Sequence, residues 1–203
     1  MLINLLDYAK KSTLYSPFKS IVLYRGVPHP QILFIGEAPG KEENQQGFPF
    51  VGRSGKLLDL WIQEFGMKNI FGITNSVPLI PLTPNGSIRK PTDKEINYFK
   101  PFVKHMIQKY NPKLIILLGD SACRSVINTY IGEVRNNLQY YMGNWPVTAH
   151  YHPAYYLRNG SKGLEDFSRL YEKVIKYVVP DLKISTNQLQ KLNEEEIKGV
   201  IKK

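Results

Sequence analysis

Short apolar runs alternate with amphipathic segments along most of the chain. Lys113–Gly119 is apolar throughout its centre rather than at every second position, which is typical of a strand in a parallel sheet that is covered on both faces. Residues 31–36, 71–75 and 146–149 are shorter strand candidates. These four runs predict a small, mostly parallel sheet.

Helical periodicity appears between these runs. In residues 54–65 the apolar positions fall on one face of a helix. Thr92–Glu95 has the composition of a capping box that opens a helix. Further helices are predicted at 121–130 and 162–179. The alternation of strands and helices predicts the α/β class. The expected architecture is a three-layer α/β/α sandwich with a central, mostly parallel four-stranded sheet and a binding crevice at the carboxyl ends of its strands.

Length and charge narrow the interpretation. A chain of 203 residues with 42% apolar residues fits one domain, which we expect at residues 1–180, followed by a helical or flexible tail at 181–203. The formal net charge of +10 favours an anionic partner such as a nucleic acid. The longest apolar run is far shorter than the roughly 20 residues of a membrane-spanning helix, so we expect a cytoplasmic protein that does not bind a membrane. We also expect a monomer.

The loop after the first strand carries the most informative motif. Residues 36–59 read GEAPGKEENQQGFPFVGRSGKLLD, and a loop rich in glycine and carboxylates at the carboxyl end of a parallel strand indicates a binding site. A phosphate-binding loop is the generic alternative. However, the segment lacks the Gly-Lys-Ser/Thr ending of such loops, and its carboxylates would repel phosphate.

Residues 36–58 resemble the first motif of the family 4 uracil-DNA glycosylases, the bacterial and archaeal type. Tyr151–Arg158 (YHPAYYLR) resembles the His-Pro-Ala-x-x-Leu-Arg motif of the same family, and Asn75 ends a strand where the family has its uracil-reading asparagine. The resemblance covers about residues 5–177 and implies the uracil-DNA glycosylase fold. It also implies a monofunctional hydrolase of base excision repair that flips uracil out of single- or double-stranded DNA.

The resemblance implies a role for six residues around the flipped base. Phe50 would stack on uracil, Asn75 would pair with its polar edge, and His152 would donate a hydrogen bond to O2 as negative charge develops there. Glu37 would position the water or stabilise the cationic sugar. Glu43 would lie near C5 of the base. Ala38 would line the pocket where family 1 enzymes have an aspartate, so the carboxylate that activates water is not supplied in the usual way.

DNA contacts are expected from two segments. The Tyr155–Arg158 segment, taken as a loop, would enter the duplex from the minor-groove side and fill the gap left by the flipped base. Its members are Tyr155, Tyr156, Leu157 and Arg158. Arg158 and Arg53 would contact phosphates.

The chain departs from family 4 at the four cysteines that hold an iron-sulfur cluster. The corresponding positions are Ala9, Ser12, Leu79 and Phe99, and the single cysteine, Cys123, matches none of them. We therefore expect no metal and no cofactor, with packing of Leu79 and Phe99 against Leu14 and Phe102 in place of the cluster.

Two other interpretations remain open. The fold could serve a non-catalytic DNA-binding or accessory protein, which the missing aspartate and cysteines favour and which the retention of Glu37, Phe50, Asn75 and His152 disfavours. The variant that traps DNA covalently through a histidine has Gln after Gly-Glu in the first motif and a basic insertion ending in His. The sequence has neither feature.

Overall fold

Six strands form one mixed sheet in the computed structural model, which describes residues 4–182. Their bounds are β1 Arg25–Gly26, β2 Ile32–Gly36, β3 Phe71–Asn75, β4 Leu114–Leu118, β5 Gln139–Tyr141 and β6 Trp145–His150. The order across the sheet is β1-β3-β2-β4-β6-β5. The four predicted strands are the parallel centre, β3-β2-β4-β6, and the mostly parallel α/β sheet is confirmed.

Two short antiparallel strands extend the predicted sheet at its edges. β1 pairs with β3 and β5 pairs with β6. β1 has two residues and β5 has three, and none of the five is fully buried. Segments this short have no hydrophobic period, so the sequence pattern did not indicate them.

Helices cover both faces of the sheet. Their bounds are α1 Leu5–Lys10, α2 Lys41–Gln46, α3 Arg53–Glu64, α4 Asp93–Tyr110, α5 Asp120–Ile127, α6 Ile131–Val134, α7 Pro153–Arg158, α8 Leu164–Leu170, a π-helical turn at Tyr171–Ile175 and α9 Lys176–Val178. The predicted capping box opens α4, because the Thr92 side chain accepts from the N–H of Glu95 and the Glu95 side chain accepts from the N–H of Thr92. Among residues 4–182, no helix has the length and apolar character to cross a membrane.

Alternate residues of the central strands supply the two cores. On β2, Leu33 and Ile35 pack against α1, α4, α5 and α6, whereas Ile32 and Phe34 pack against α3, α7 and α8. All four side chains are fully buried. The three-layer arrangement therefore follows from the apolar residues on both faces of each strand.

The strand order places a crevice above the middle of the sheet. β2 is followed along the chain by β3 on one side of it and then by β4 on the other. Ligands of such sheets bind at this point of reversal, outside the carboxyl ends of the strands. The loops that follow Gly36, Asn75, Leu118 and His150 all begin at this edge. The predicted tail beyond Leu182 lies outside the described residues.

Candidate active site

Phe50 and Asn75 meet at the end of β2. A Cβ atom added to Gly36 would lie 2.4 Å from Cε2 of Phe50 and 2.6 Å from Oδ1 of Asn75. Glycine at this position therefore lets the ring and the amide approach the same point. Asn75 is only 1% exposed, and its Oδ1 has no hydrogen-bond partner among the described residues. A buried polar atom without a partner is unfavourable unless a ligand pairs with it.

The backbone around Phe50 is held in an uncommon conformation. Phe50 has φ of 56°, in the left-handed region that costs energy for a residue with a side chain. Arg25 compensates by donating to the carbonyl oxygens of Pro49 and Phe50, each at 3.0 Å, and by pairing with Asp59 at 2.8 Å. The same carbonyl of Phe50 would be 1.8 Å from a Cβ at Gly55, so Gly55 is also needed for this turn.

His152 is oriented as a neutral hydrogen-bond donor. It caps α7, and its Nδ1 accepts from the N–H of Ala154 at 3.2 Å, which leaves the proton of the neutral ring on Nε2. Burial, together with the positive charges of Arg158 and Lys90, lowers the pKa of His152 to about 4. Its ring centroid lies 5.4 Å from that of Phe50. A neutral N–H donor is therefore available beside the aromatic ring at neutral pH.

Glu37 is fixed by a residue that sequence analysis missed. Ser121, at the start of α5, donates from Oγ to Oε2 of Glu37 at 2.6 Å. Glu37 follows β2 and Ser121 follows β4, so the bond spans the point where the strand order reverses. Ala38 is half-buried beside Glu37 and packs against the core that contains α4 and α5.

Glu43 braces the motif loop from within. Its Oε2 accepts from the N–H of Gly40 and its Oε1 accepts from the N–H of Gly52, both at 3.0 Å. The side chain is buried. These contacts tie the two ends of the loop that carries Phe50 and differ from the predicted contact with C5 of the base.

The Tyr155–Arg158 segment is helical rather than the predicted loop. Pro153 is at the first helical position, where proline is favoured, and the His152 side chain caps the helix. Tyr155 is 40% exposed, but Tyr156 is only 4% exposed and donates to Asp166 at 2.8 Å. The prediction that Tyr156 contacts DNA is therefore wrong, because the ring packs into the core. Leu157 is half-buried against the same core.

Two predicted phosphate contacts lie on the surface. Arg158 is exposed at the end of α7, three residues beyond Tyr155 and on the same helix face. Arg53 is exposed at the first position of α3, directly after the loop that carries Phe50. Their contacts with phosphates stay predictions.

Comparison with known proteins decides the family. The model of the uracil DNA glycosylase superfamily matches residues 23–178. The chain belongs to this superfamily. It is 35% identical over 150 residues to a type-4 uracil-DNA glycosylase of Thermotoga maritima, covering 71% of this chain and 76% of that protein.

Archaeal members of the superfamily are similar over comparable lengths. The type-4 uracil-DNA glycosylase of Sulfurisphaera tokodaii is 35% identical over 182 residues, covering 82% of this chain and 80% of that protein. The type-4 uracil-DNA glycosylase of Saccharolobus solfataricus is 34% identical over 166 residues, covering 74% of this chain and 73% of that protein. The match to the family model at residues 23–178 includes the motif loop, β3, β4 and α7.

The cysteine positions of family 4 do not fit an iron-sulfur cluster in this superfamily member. Ala9, Ser12, Leu79 and Phe99 are all buried, and none has a thiolate. Cys123 lies elsewhere, on α5, and burial raises the pKa of its thiol to about 12. Within residues 4–182, no group of three or more His, Cys, Asp or Glu residues is placed to hold a metal ion.

Packing joins the segments that the cluster would have joined. Ala9, Leu79 and Phe99 belong to one apolar cluster together with Leu14 and Phe102, which confirms the predicted packing of these side chains. Two tyrosines add a tie that the sequence did not indicate. Tyr8 and Tyr98 stack at 4.9 Å, and the hydroxyl of each donates to the backbone carbonyl of the other.

Proposed function

We propose that this chain removes uracil from DNA by hydrolysing the N-glycosidic bond and leaves an abasic site. The observation that carries the proposal is the unpartnered Oδ1 of Asn75, buried beside the rings of Phe50 and His152. The buried pocket calls for a base that is turned out of the helix stack, as in other enzymes that act on bases. Because its substrate is DNA, the enzyme works in the cell compartment that contains DNA.

The three pocket groups match the three features of uracil. Asn75 has an acceptor for N3–H and a donor for O4, and the ring of Phe50 offers a flat apolar surface. The Nε2–H of His152 suits O2. Cytosine presents the opposite pattern at the two positions that Asn75 would contact, so it would leave a buried amide unpaired.

Bond cleavage sends electrons toward the group that His152 faces. As the C1′–N1 bond breaks, the electron pair moves to the base and negative charge accumulates on O2. A preorganised neutral donor stabilises this charge. The low pKa of His152 keeps the ring neutral at physiological pH, so it acts by hydrogen bonding rather than by giving up a proton.

Glu37 acts on the sugar side of the reaction. Its carboxylate stabilises positive charge on the sugar and accepts a hydrogen bond from the water whose oxygen bonds to C1′. As this bond forms the water gives up one proton, and the released uracil anion takes up a proton in turn. The hydrogen bond from Ser121 occupies Oε2, and the remaining lone pairs of the carboxylate are available to the water. All of these groups come from one chain, so the proposed site needs no residue from a second copy.

Incubation with a single-stranded oligonucleotide that contains one uracil tests the proposal. Alkaline cleavage followed by a denaturing gel should show strand breakage at uracil and none in the matched thymine oligonucleotide. Asn75→Asp keeps the size of the side chain but replaces its donor with an acceptor, and it should lower kcat/KM by orders of magnitude. Binding of uracil DNA without release of the base would instead support the non-catalytic DNA-binding protein.

A further inference from the structure

Three side chains stack beside the pocket. Tyr151 follows β6, and its ring lies 4.5 Å from that of Tyr155 with an interplanar angle of 25°. The guanidinium carbon of Arg135 lies 4.6 Å from the centroid of the Tyr151 ring. We refer to Arg135, Tyr151 and Tyr155 as the aromatic stack.

The aromatic stack is anchored to the sheet. The backbone of Arg135 is bridged to Ala149 in β6 and its N–H donates to the carbonyl of Ile131 at 2.9 Å. Nη1 of Arg135 lies 3.7 Å from a carboxylate oxygen of Asp166, the residue that accepts from Tyr156. Arg135 therefore cannot shift without disturbing β6 and α8.

The outer member of the stack is rigid and open to solvent. The Tyr155 ring also meets the edge of the buried Tyr156 ring at 5.2 Å and 87°. Contacts with two rings fix its orientation, yet Tyr155 remains 40% exposed. A preordered aromatic ring binds a flat partner with little loss of side-chain entropy.

Tyr155 lies one helical turn from the pocket. Its N–H donates to the carbonyl of His152 at 2.8 Å, so the exposed ring and the imidazole stand on the same turn of α7. Arg158 is exposed on the same helix face. An aromatic face beside a phosphate-binding side chain is the combination with which proteins bind unstacked bases.

We propose that the aromatic stack is a second base-binding surface, on which a nucleobase unstacked by the extrusion of uracil lies against Tyr155. This inference rests on the proposed function. Arg135 and Tyr151 are positioning residues, since they act through the Tyr155 ring. The bound base comes from the same strand, next to uracil, or from the opposite strand.

Fluorescence of 2-aminopurine tests the contact separately from catalysis. The base analogue is placed next to, or opposite, a 2′-fluoro-2′-deoxyuridine that resists hydrolysis, and quenching and Kd are measured. Tyr155→Leu keeps apolar bulk but removes the aromatic face, and it should weaken binding by about 5- to 150-fold, the range expected for loss of one base stack. Tyr155→Phe should retain both the affinity and the quenching.

A double-mutant cycle tests the positioning role of Tyr151. Tyr151→Leu should weaken quenching in the wild-type background and have little further effect in Tyr155→Leu, because the two residues act on the same contact. Tyr140→Leu is the control, since Tyr140 is 60% exposed but pairs with Pro146 near the opposite end of β6. It should bind DNA as the wild type does.

The substrates separate the two sources of the base. If Tyr155→Leu weakens binding and quenching equally in single- and double-stranded DNA, the stacked base comes from the same strand as uracil. If it weakens them only in the duplex, the stacked base comes from the opposite strand. The inference is overturned if Tyr155→Leu retains wild-type quenching and Kd in both, or if Tyr140→Leu lowers them equally. A wild-type protein that releases no uracil would overturn the proposed function alone, because the fluorescence test needs no cleavage.

Discussion

The substitution Gly36→Ala tests whether Phe50 and Asn75 form one pocket. The added methyl group would lie 2.4 and 2.5 Å from two atoms of the Phe50 ring and 2.6 Å from Oδ1 of Asn75. Ordinary contacts of this kind are at 3.4 Å or more. The backbone of Gly36 is that of a regular strand, so the expected effect is purely steric.

The distances set the size of the effect. Relief of the clash requires the ring or the amide to move by about 1 Å, and overpacking of this degree typically destabilises a protein by about 1 to 3 kcal/mol. Both groups belong to the proposed base-binding pocket, where a displacement of about 1 Å can lower the rate about 100-fold. Activity should therefore fall much further than stability.

Single-turnover release of uracil, urea denaturation and DNA binding together measure these effects. Gly132→Ala is the matched control, because Gly132 is an exposed position of helix α6 and a Cβ there would meet no atom within 4 Å. The control should keep both activity and stability. A folded Gly36→Ala protein with wild-type kcat/KM would refute the assignment of Phe50 and Asn75 to the base.

Three further predictions concern packing, pH and salt. Phe99→Ala removes a fully buried ring and should lower the free energy of unfolding by about 3 to 5 kcal/mol, as measured by urea denaturation. A chelator should leave the wild-type urea midpoint unchanged, and stoichiometric iron in the purified protein would contradict the absence of a cluster. Burial lowers the pKa of His150 to about 4, so the unfolded state binds the proton first as the pH falls from about 6.5. The free energy of unfolding should drop by about 2 to 3 kcal/mol from this group between about pH 7 and 4.5, and His150→Phe should show a correspondingly shallower acid loss in urea titrations. Arg158→Gln should lower the slope of log K against log salt by about one in fluorescence anisotropy; an unchanged slope would show that Arg158 meets no phosphate.

The centre of the fold was predictable because its strands are buried on both faces. Such strands are short apolar runs that end at glycine or polar residues, as at Gly36 and Asn75, and they need no long-range information to be recognised. The motifs then identified Phe50, Asn75 and His152, and the structure brings these three residues together. Their roles on uracil stay predictions.

Tyr156 shows why the exposed face of α7 was not predictable from residue type. The resemblance to the family motif implied that Tyr155–Arg158 is a loop inserted into DNA. In a helix, successive residues point about 100° apart, so Tyr155 and Arg158 share the exposed face and Tyr156 turns into the core. Composition alone does not distinguish a wedge from a helix with one buried face.

The supporting contacts were missed for a different reason. The Ser121–Glu37 bond joins residues 84 positions apart, and the Arg25–Asp59 pair joins residues 34 positions apart. Single polar residues with such distant partners leave no periodic signal. The Ser121–Glu37 bond depends on strand order, which places the loops after β2 and β4 together.

The packing that occupies the cysteine positions also bears on the pocket. The chain leaves β3 at Asn75 and continues through Val77 and Leu79, whose fully buried side chains belong to the same cluster as Phe99. The N–H of Val77 donates to the carbonyl of Glu37 at 3.1 Å. One short segment therefore connects the apolar cluster to both the Asn75 amide and the loop that begins at Glu37. Because tightly packed interiors transmit strain, loss of the Phe99 ring should disturb the pocket as well as the amino-terminal helix. The apolar side chains at the cysteine positions of family 4 therefore also hold Asn75 and Glu37 in place.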